Sequence, residues 1–204
     1  DDVESRGLGD VYKRQVLHHQ GTRTLHTRRL TLRRFVEEDA RQMFDGWACD
    51  ERVTRFLTWT PHDSPQLTAA LLKDWCAAYE NPSTYNWAIE WDGRLIGNIS
   101  VVQTSDRSEW AELGYCLGHA YWNQGLMTEA VRAVLGYLFE EVGCHRIGLS
   151  HAVRNPASGR VARKCGMTYE GTRRALFRAA SGEFLDIAEY GMLRAEWDAA
   201  GASE

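Results

Sequence analysis

Asn123-Gln124-Gly125 stands between a strand-like run and a long amphipathic run, the arrangement in which a helix N-terminus offers free N–H groups to an anion. From Met127 the apolar residues fall at Met127, Ala130, Val131, Val134, Leu135, Leu138, Phe139 and Val142, the i, i+3, i+4, i+7 spacing of one buried helix face. Gly143 is placed to stop that helix with a left-handed cap. The positive end of the helix dipole then points into the loop, and Gly125 lets a ligand approach the backbone closely. Backbone donors at Asn123, Gln124, Gly125, Leu126, Met127 and Thr128 are therefore expected to bind a phosphorylated ligand.

The elements that must position this junction follow from the pattern on either side. Trp110–Gly118 reads as the strand that enters it, and His145–Val153 as the strand after the long helix, so the two are expected to run parallel about a crossover helix. Upstream, Leu25–Phe35 alternates as a first strand, and a helix with Ala40, Met43, Phe44 and Trp47 on its inward face follows. Ser64-Pro65 opens a second helix through Leu67, Leu71, Trp75 and Tyr79. Tyr85–Trp91 and Leu95–Val102 form a hairpin about Asp92-Gly93. Downstream, Asn155, Pro156 and Gly166 mark the cap, first turn and stop of a short helix with Ala157, Val161, Ala162 and Cys165 inward, and Met167–Phe177 and Glu183–Leu193 close the chain as a hairpin about Ser181-Gly182. The sum is one α/β domain with a mixed sheet.

Composition bounds the function. At 204 residues, 44% hydrophobic and 25% charged, the chain is long enough to bury one sizeable core. No apolar run approaches the roughly 20 residues of a membrane span, so no membrane is expected as a partner. A net charge of −4 argues against general nucleic-acid affinity, which needs a basic face. Cys49, Cys76, Cys116, Cys144 and Cys165 are odd in number and free of any CxxC pair, which suits reduced, small buried thiols in a cytoplasm and gives no metal site. Residues 1–24 lack periodicity and are expected to be a disordered or non-native leader, 25–196 the domain, and 197–204 a C-terminal tail.

The order of elements, together with TRRLTLRRF, LGYCLGHAYWNQGLMTEA, NPASGRVARKCGMTYEG and DIAEYGML, resembles the GNAT superfamily of acetyl-CoA-dependent N-acetyltransferases, and within it the RimJ/RimL branch of ribosomal-protein N-terminal acetyltransferases. That resemblance covers about Leu25–Leu193. It implies a single GNAT-like α/β domain, a mixed and mostly antiparallel sheet splayed around acetyl-CoA, with about four flanking helices. The chain departs from the superfamily at Trp122 and Met127, which stand where the phosphate loop usually has Gln or Arg and Gly or Ala, and at Ala162, where many members carry a catalytic Tyr. Phe177 matches the position of a glutamate proposed as base in RimL-like enzymes, so that base does not carry over.

By the resemblance, Tyr115, Cys116 and Leu117 lie beside pantetheine, Asn123–Thr128 hold the pyrophosphate, Asn155 fixes pantetheine or its loop, and Ser158 reaches the sulfur as general acid. Glu112, in AELGYC, resembles the glutamate of the histone-acetyltransferase branch and is expected as the base; a solvated or arginine-paired strand glutamate is the competing reading. His119 and His151 are weaker candidates, Trp59 is a candidate cleft wall and Trp47 a core residue. Arg163 and Lys164 are candidates to touch the cofactor's terminal phosphate, but as last-turn cations they have a plain helix-dipole explanation, which is preferred. The implied activity is acetylation of an amine, a protein N-terminal α-amine first and a small-molecule amine (polyamine, amino acid or aminoglycoside) second, by direct attack on the thioester. A non-catalytic acetyl-CoA-binding or ribosome-associated module is the alternative of another class. Monomer and homodimer remain equally open.

Overall fold

A computed structural model describes residues 17–201. Eight strands, β1 Leu25–His26, β2 Leu30–Arg33, β3 Asn86–Trp91, β4 Arg94–Ser105, β5 Trp110–Leu117, β6 Arg146–Ala152, β7 Thr168–Arg178 and β8 Phe184–Leu193, form one sheet in the order β1-β2-β3-β4-β5-β6-β8-β7. Every pairing is antiparallel except β5 with β6, which are parallel as their crossover helix requires. Six α-helices accompany the sheet: α1 Ala40–Met43, α2 Glu51–Thr54, α3 Pro65–Ala78, α4 Leu126–Tyr137, α5 Pro156–Lys164 and α6 Arg194–Gly201.

Strand alternation sends side chains to the two sheet faces, each with its own main core, and a smaller cluster of Ala152, Ala179, Leu185 and Ile187 lies apart. On one face Trp87, Ile89, Ile96, Ile99 and Leu113 meet Ala130, Val131, Val134 and Leu135 of α4 and Ala162 of α5. On the other, Ala88 and Leu95 meet Met43, Trp47 and Leu72 of the α1 and α3 region. The predicted α4 stripe is buried as expected, and the helix runs on through a wider turn, Leu138–Val142, to a left-handed Gly143 at φ 85°.

Several expectations are corrected. Leu25–Phe35 is not one strand: the chain reverses after His26, where the Thr27 hydroxyl both accepts from the Leu30 N–H and donates to the Glu129 carboxylate. The buried row of α3 is Thr68 and Leu72, with Leu71, Trp75 and Tyr79 half-buried, while Leu67 is 48% exposed because Ser64 caps the helix there and leaves its first turn in solvent. Ala157 is likewise exposed. Cys144 and Cys165 are buried, but Cys76 and Cys116 are only partly so, and Cys49 is exposed.

The expected leader is also corrected in part: residues 1–16 lie outside the described region, but 17–24 are built into the fold. Leu17 and Thr22 are 5% and 2% exposed. The Tyr137 hydroxyl donates to the Gly21 carbonyl at 2.7 Å, and the Trp87 indole donates to the Arg23 carbonyl at 2.6 Å. At the other end α6 runs across the 196/197 boundary, with Trp197 stacked on Phe139 at 5.7 Å. Residues 202–204 lie outside the described region.

Candidate active site

β5 and β6 pair from Trp110–Arg146 to Leu113–Leu149 and then part, which leaves the β5 edge from Gly114 to Leu117 without a β6 partner. Past the parting lies a cavity of about 1130 Å³. It runs from Tyr115, Cys116 and Leu117 to the α4 N-terminus at Asn123–Thr128, along α5 at Asn155 and Ser158, and under the α2 region from Glu51 to Pro61. All the residues expected at the cofactor therefore face one space: Tyr115, Cys116, Leu117, Asn123, Gln124, Gly125, Leu126, Met127, Thr128, Asn155 and Ser158. A free strand edge offers backbone N–H and C=O groups to an extended amide chain, as a further strand would receive them.

The loop that enters α4 owes its shape to two left-handed residues, Asn123 at φ 59° and Gly125 at φ 75°. Left-handed residues in succession with helical ones aim neighbouring N–H groups into one concavity. Trp122, Arg29 and Glu129 hold it there. Trp122 donates its indole N–H to the Leu117 carbonyl at 2.7 Å and packs on His119 at 4.7 Å, and Arg29 donates to the Gln124 carbonyl at 3.1 Å. Glu129 anchors Arg29 through its backbone N–H and guanidinium at 2.8 and 2.7 Å. Met127, where the chain departs from the superfamily pattern, is 5% exposed and its side chain belongs to the core. Arg29 and Glu129 are 100 residues apart, beyond any local sequence signal.

Ser158 sits in the first turn of α5, where its hydroxyl oxygen accepts from the Asn155 amide at 3.1 Å. Asn155, the N-cap of α5, makes no side-chain cap bond of its own. The Tyr115 phenol donates to the Ser158 carbonyl at 3.4 Å, and burial raises its pKa well above the usual phenol range. Ala162, in the place of the superfamily tyrosine, is fully buried. Burial pushes the Cys116 thiol up to about 12, so this cysteine is protonated near neutral pH and is no nucleophile.

Glu112 stands apart from this group and does not line the cavity. By alternation along β5 it shares the sheet face of Cys116, whereas Tyr115 and Ser158 belong to the α4 and α5 face. Its carboxylate lies over Gly148, where an added Cβ would collide with it. Burial raises its pKa above the ordinary glutamate value, opposed by a hydrogen bond with Ser150 and by the charges of Arg146 and Arg173. These arginines are engaged by Glu170 and Glu189 respectively. Glu112 is thus neither plainly solvated nor in a simple ion pair, and it sits one residue before the last β5–β6 pair.

The weaker candidates divide. His119 is exposed and lines the cavity. His151 does not; it stacks on Tyr190, and its Nε2 is buried without a hydrogen-bond partner among the described residues. Trp59 lines the cavity and Trp47 is fully buried, each as expected. Arg163 donates to the Tyr190 hydroxyl at 2.8 Å, away from the cavity, whereas Lys164 lines it. No group of three or more His, Cys, Asp or Glu side chains among the described residues is arranged to hold a metal, and no helix there is long and apolar enough to cross a membrane.

Residues 29–168 match the family model of the GNAT acetyltransferase domain. The chain belongs to the GNAT acetyltransferase family. It is 31% identical over 152 residues to the uncharacterized N-acetyltransferase YoaA of Bacillus subtilis, an alignment that covers 74% of this chain and 85% of that one. It is 28% identical over 144 residues, 70% and 78% of the two chains, to YdaF of the same organism, which carries the provisional name of a ribosomal N-acetyltransferase. Among solved structures, the fold matches RimL, a ribosomal L7/L12 α-N-protein acetyltransferase in complex with coenzyme A, with a TM-score of 0.76 at 19% identity over 84% of this chain and 98% of that one. The family match and these relatives make this GNAT protein an acetyltransferase enzyme.

Proposed function

We propose that this enzyme transfers the acetyl group of acetyl-CoA to an amine, with a protein N-terminal α-amine as its acceptor. The observation that carries the reading is the continuity of one cavity from the α4 N-terminus, past the unpaired edge of β5, to the Ser158 hydroxyl. Acetyl-CoA supplies a thioester, an acetyl group already activated for attack by nitrogen. The N–H groups of Gly125–Thr128 hold its pyrophosphate, and the β5 edge at Tyr115–Leu117 aligns its amides. Ser158, whose oxygen is occupied by Asn155, directs its hydroxyl proton to the departing sulfur. With Cys116 protonated, the amine attacks the acetyl group directly and no acyl-enzyme forms.

The amine must first lose its own proton. Glu112 lies on the opposite sheet face from Ser158, and the β5–β6 gap joins the two faces. In our reading the acceptor approaches from the α2 side, where Glu51–Pro61 wall the cavity, and Glu112 takes its proton through water in the gap. The provisional name of YdaF as a ribosomal N-acetyltransferase favours a protein N-terminal acceptor. The test is an acceptor screen with acetyl-CoA that follows free thiol, N-terminal peptides against polyamines, amino acids and aminoglycosides. Thiol release with peptides supports the proposal; turnover confined to small amines moves the assignment to them. Tight CoA binding without transfer to anything tested would sink the activity and leave a cofactor-binding module.

A further inference from the structure

His151 holds a buried nitrogen that the chemistry above leaves unused. On β6 it stands two residues past Leu149, the last residue paired with β5, as Tyr115 stands two past Leu113 on β5. By alternation both side chains lie on the α4 and α5 face, so they flank the parting of the strands. Each meets the first turn of α5. The Tyr115 phenol donates to the Ser158 carbonyl, and the His151 ring lies against Gly159, where an added Cβ would fall 2.7 Å from Nε2 and 3.1 Å from Cε1. Gly159 is buried, and its bare backbone is what lets the turn settle on the ring. His151 Nδ1 lies 2.8 Å from the Ala152 carbonyl, an acceptor, so in the neutral ring Nδ1 carries the proton and Nε2 the lone pair. The charged and titratable groups that face the ring are Arg163 of α5, whose Nη1 lies 3.4 Å from the same Cβ position, Tyr190 of β8, stacked on it at 5.6 Å, and Tyr169 of β7 behind Tyr190 at 5.4 Å. None of these is a carboxylate. Burial, aided by the Arg163 charge, holds the His151 pKa below the ordinary histidine value against the bond to Ala152.

We propose that His151 is a positioning residue for Ser158: the neutral ring seats the first turn of α5, and a proton on Nε2 unseats that turn and carries Ser158 away from the sulfur. The assignment rests on Ser158 as general acid in the acetyl-CoA reading above. A proton on Nε2 puts a second N–H and a positive charge into a buried space beside Gly159 and a guanidinium, with no hydrogen-bond partner for it among the described residues. The ring must turn out to reach water, and the turn that rests on it follows. Ser158, next in the chain to Gly159, moves with it. Acid then stops turnover at a group that touches neither the thioester nor the amine.

Rates of acetyl transfer from acetyl-CoA to a peptide with an N-terminal serine, measured beside melting temperatures from about pH 5 to about pH 8, test this. His151→Ala empties the seat and is expected to lower kcat about 10- to 100-fold with little change in KM for acetyl-CoA, the signature of a misplaced group. His151→Gln, neutral at every pH and of similar reach, is expected to restore most of kcat near neutrality and to move the acid decline of kcat to lower pH. Because the folded pKa of His151 lies below its unfolded value near 6.5, the neutral ring's stability is present above that value and lost as pH falls. The wild type should therefore lose melting temperature relative to His151→Gln on acidification. Gly159→Ala sets a methyl against the ring and should lower kcat, with part of the loss relieved in the double variant with His151→Ala. An acid decline of kcat unchanged in His151→Gln overturns the proposal, as does full kcat in His151→Ala. Full kcat in Ser158→Ala fells the general-acid reading and takes the proposal with it. If the wild type transfers nothing to the peptide, the acceptor reading fails separately and the melting curves decide the seat: coincident curves for the wild type and His151→Gln at every pH overturn it.

Discussion

Ser158 and Glu112 differ in how their surroundings prepare them. The Ser158 oxygen is engaged by Asn155, so its proton is free for another acceptor, and loss of the hydroxyl removes a donor and little packing. Ser158→Ala is expected to lower kcat by roughly 10²- to 10⁴-fold, the range of a positioned general acid, while CoA affinity changes little; steady-state rates beside calorimetry decide it, and an unchanged kcat removes Ser158 from the chemistry. Glu112 is governed by burial, which raises its folded pKa above the unfolded value. A raised pKa means stability that is fully present below the unfolded value, near 4.5, and lost as pH climbs through the folded one. Glu112→Gln should therefore gain in melting temperature on the wild type as pH rises across that window, and lose the acid limb of the kcat/KM profile if Glu112 is the base. A variant that melts as predicted but keeps the acid limb would leave Glu112 a structural carboxylate.

Among the elements, α4 and its loop put backbone strain where the proposal seats the pyrophosphate. Gly125 adopts φ 75°, yet the nearest atom to an added Cβ is Arg29 Nη2 at 3.6 Å, so a side chain there meets backbone strain rather than crowding. Gly125→Ala is expected to cost about 1–2 kcal/mol and weaken CoA binding about tenfold, whereas Gly125→Asn, which tolerates the left-handed region, should cost less. Equal losses in the two variants, read by calorimetry, would point to bulk instead. Trp122→Phe keeps the ring over His119 but removes the donor to Leu117, and should weaken CoA binding without unfolding the chain; an unchanged Kd would make that bond incidental. Elements carried by short-range signals were legible in the sequence: the α4 stripe, the Gly143 stop, the Asp92-Gly93 turn and the parallel β5–β6 pair. The β1–β2 reversal was not, because its turn is stabilised by Glu129 from another element, and neither was α2, which is a single turn capped by Asp50. The residues that line the larger cavity were legible since the resemblance is densest there, while the separation of Glu112 from Ser158 depends on strand parity and the gap, which no local pattern encodes.

For the molecule as a whole, residues 17–24 decide where the folding unit starts. Leu17 packs in the larger core, and burial of such a side chain contributes about 1.5–3 kcal/mol. The segment also satisfies groups deep in the fold. Without it the Tyr137 hydroxyl and the Trp87 indole lose their carbonyl partners, and the Asn86 N–H loses the Thr22 hydroxyl that it donates to at 2.8 Å. Each group left buried and unsatisfied costs about 1–3 kcal/mol. These losses fall on β3 and α4, which share the larger core, so the effect extends beyond a frayed end. A chain beginning at Leu25 should therefore unfold at a clearly lower denaturant concentration than one beginning at Leu17, with CoA binding weakened in proportion to the unfolded fraction. Tyr137→Phe, which removes one of these bonds and leaves the segment in place, should fall between them by urea titration. Superimposable unfolding curves for the two truncations would place the start of the stable unit at Leu25 and reduce the preceding segment to a surface strap.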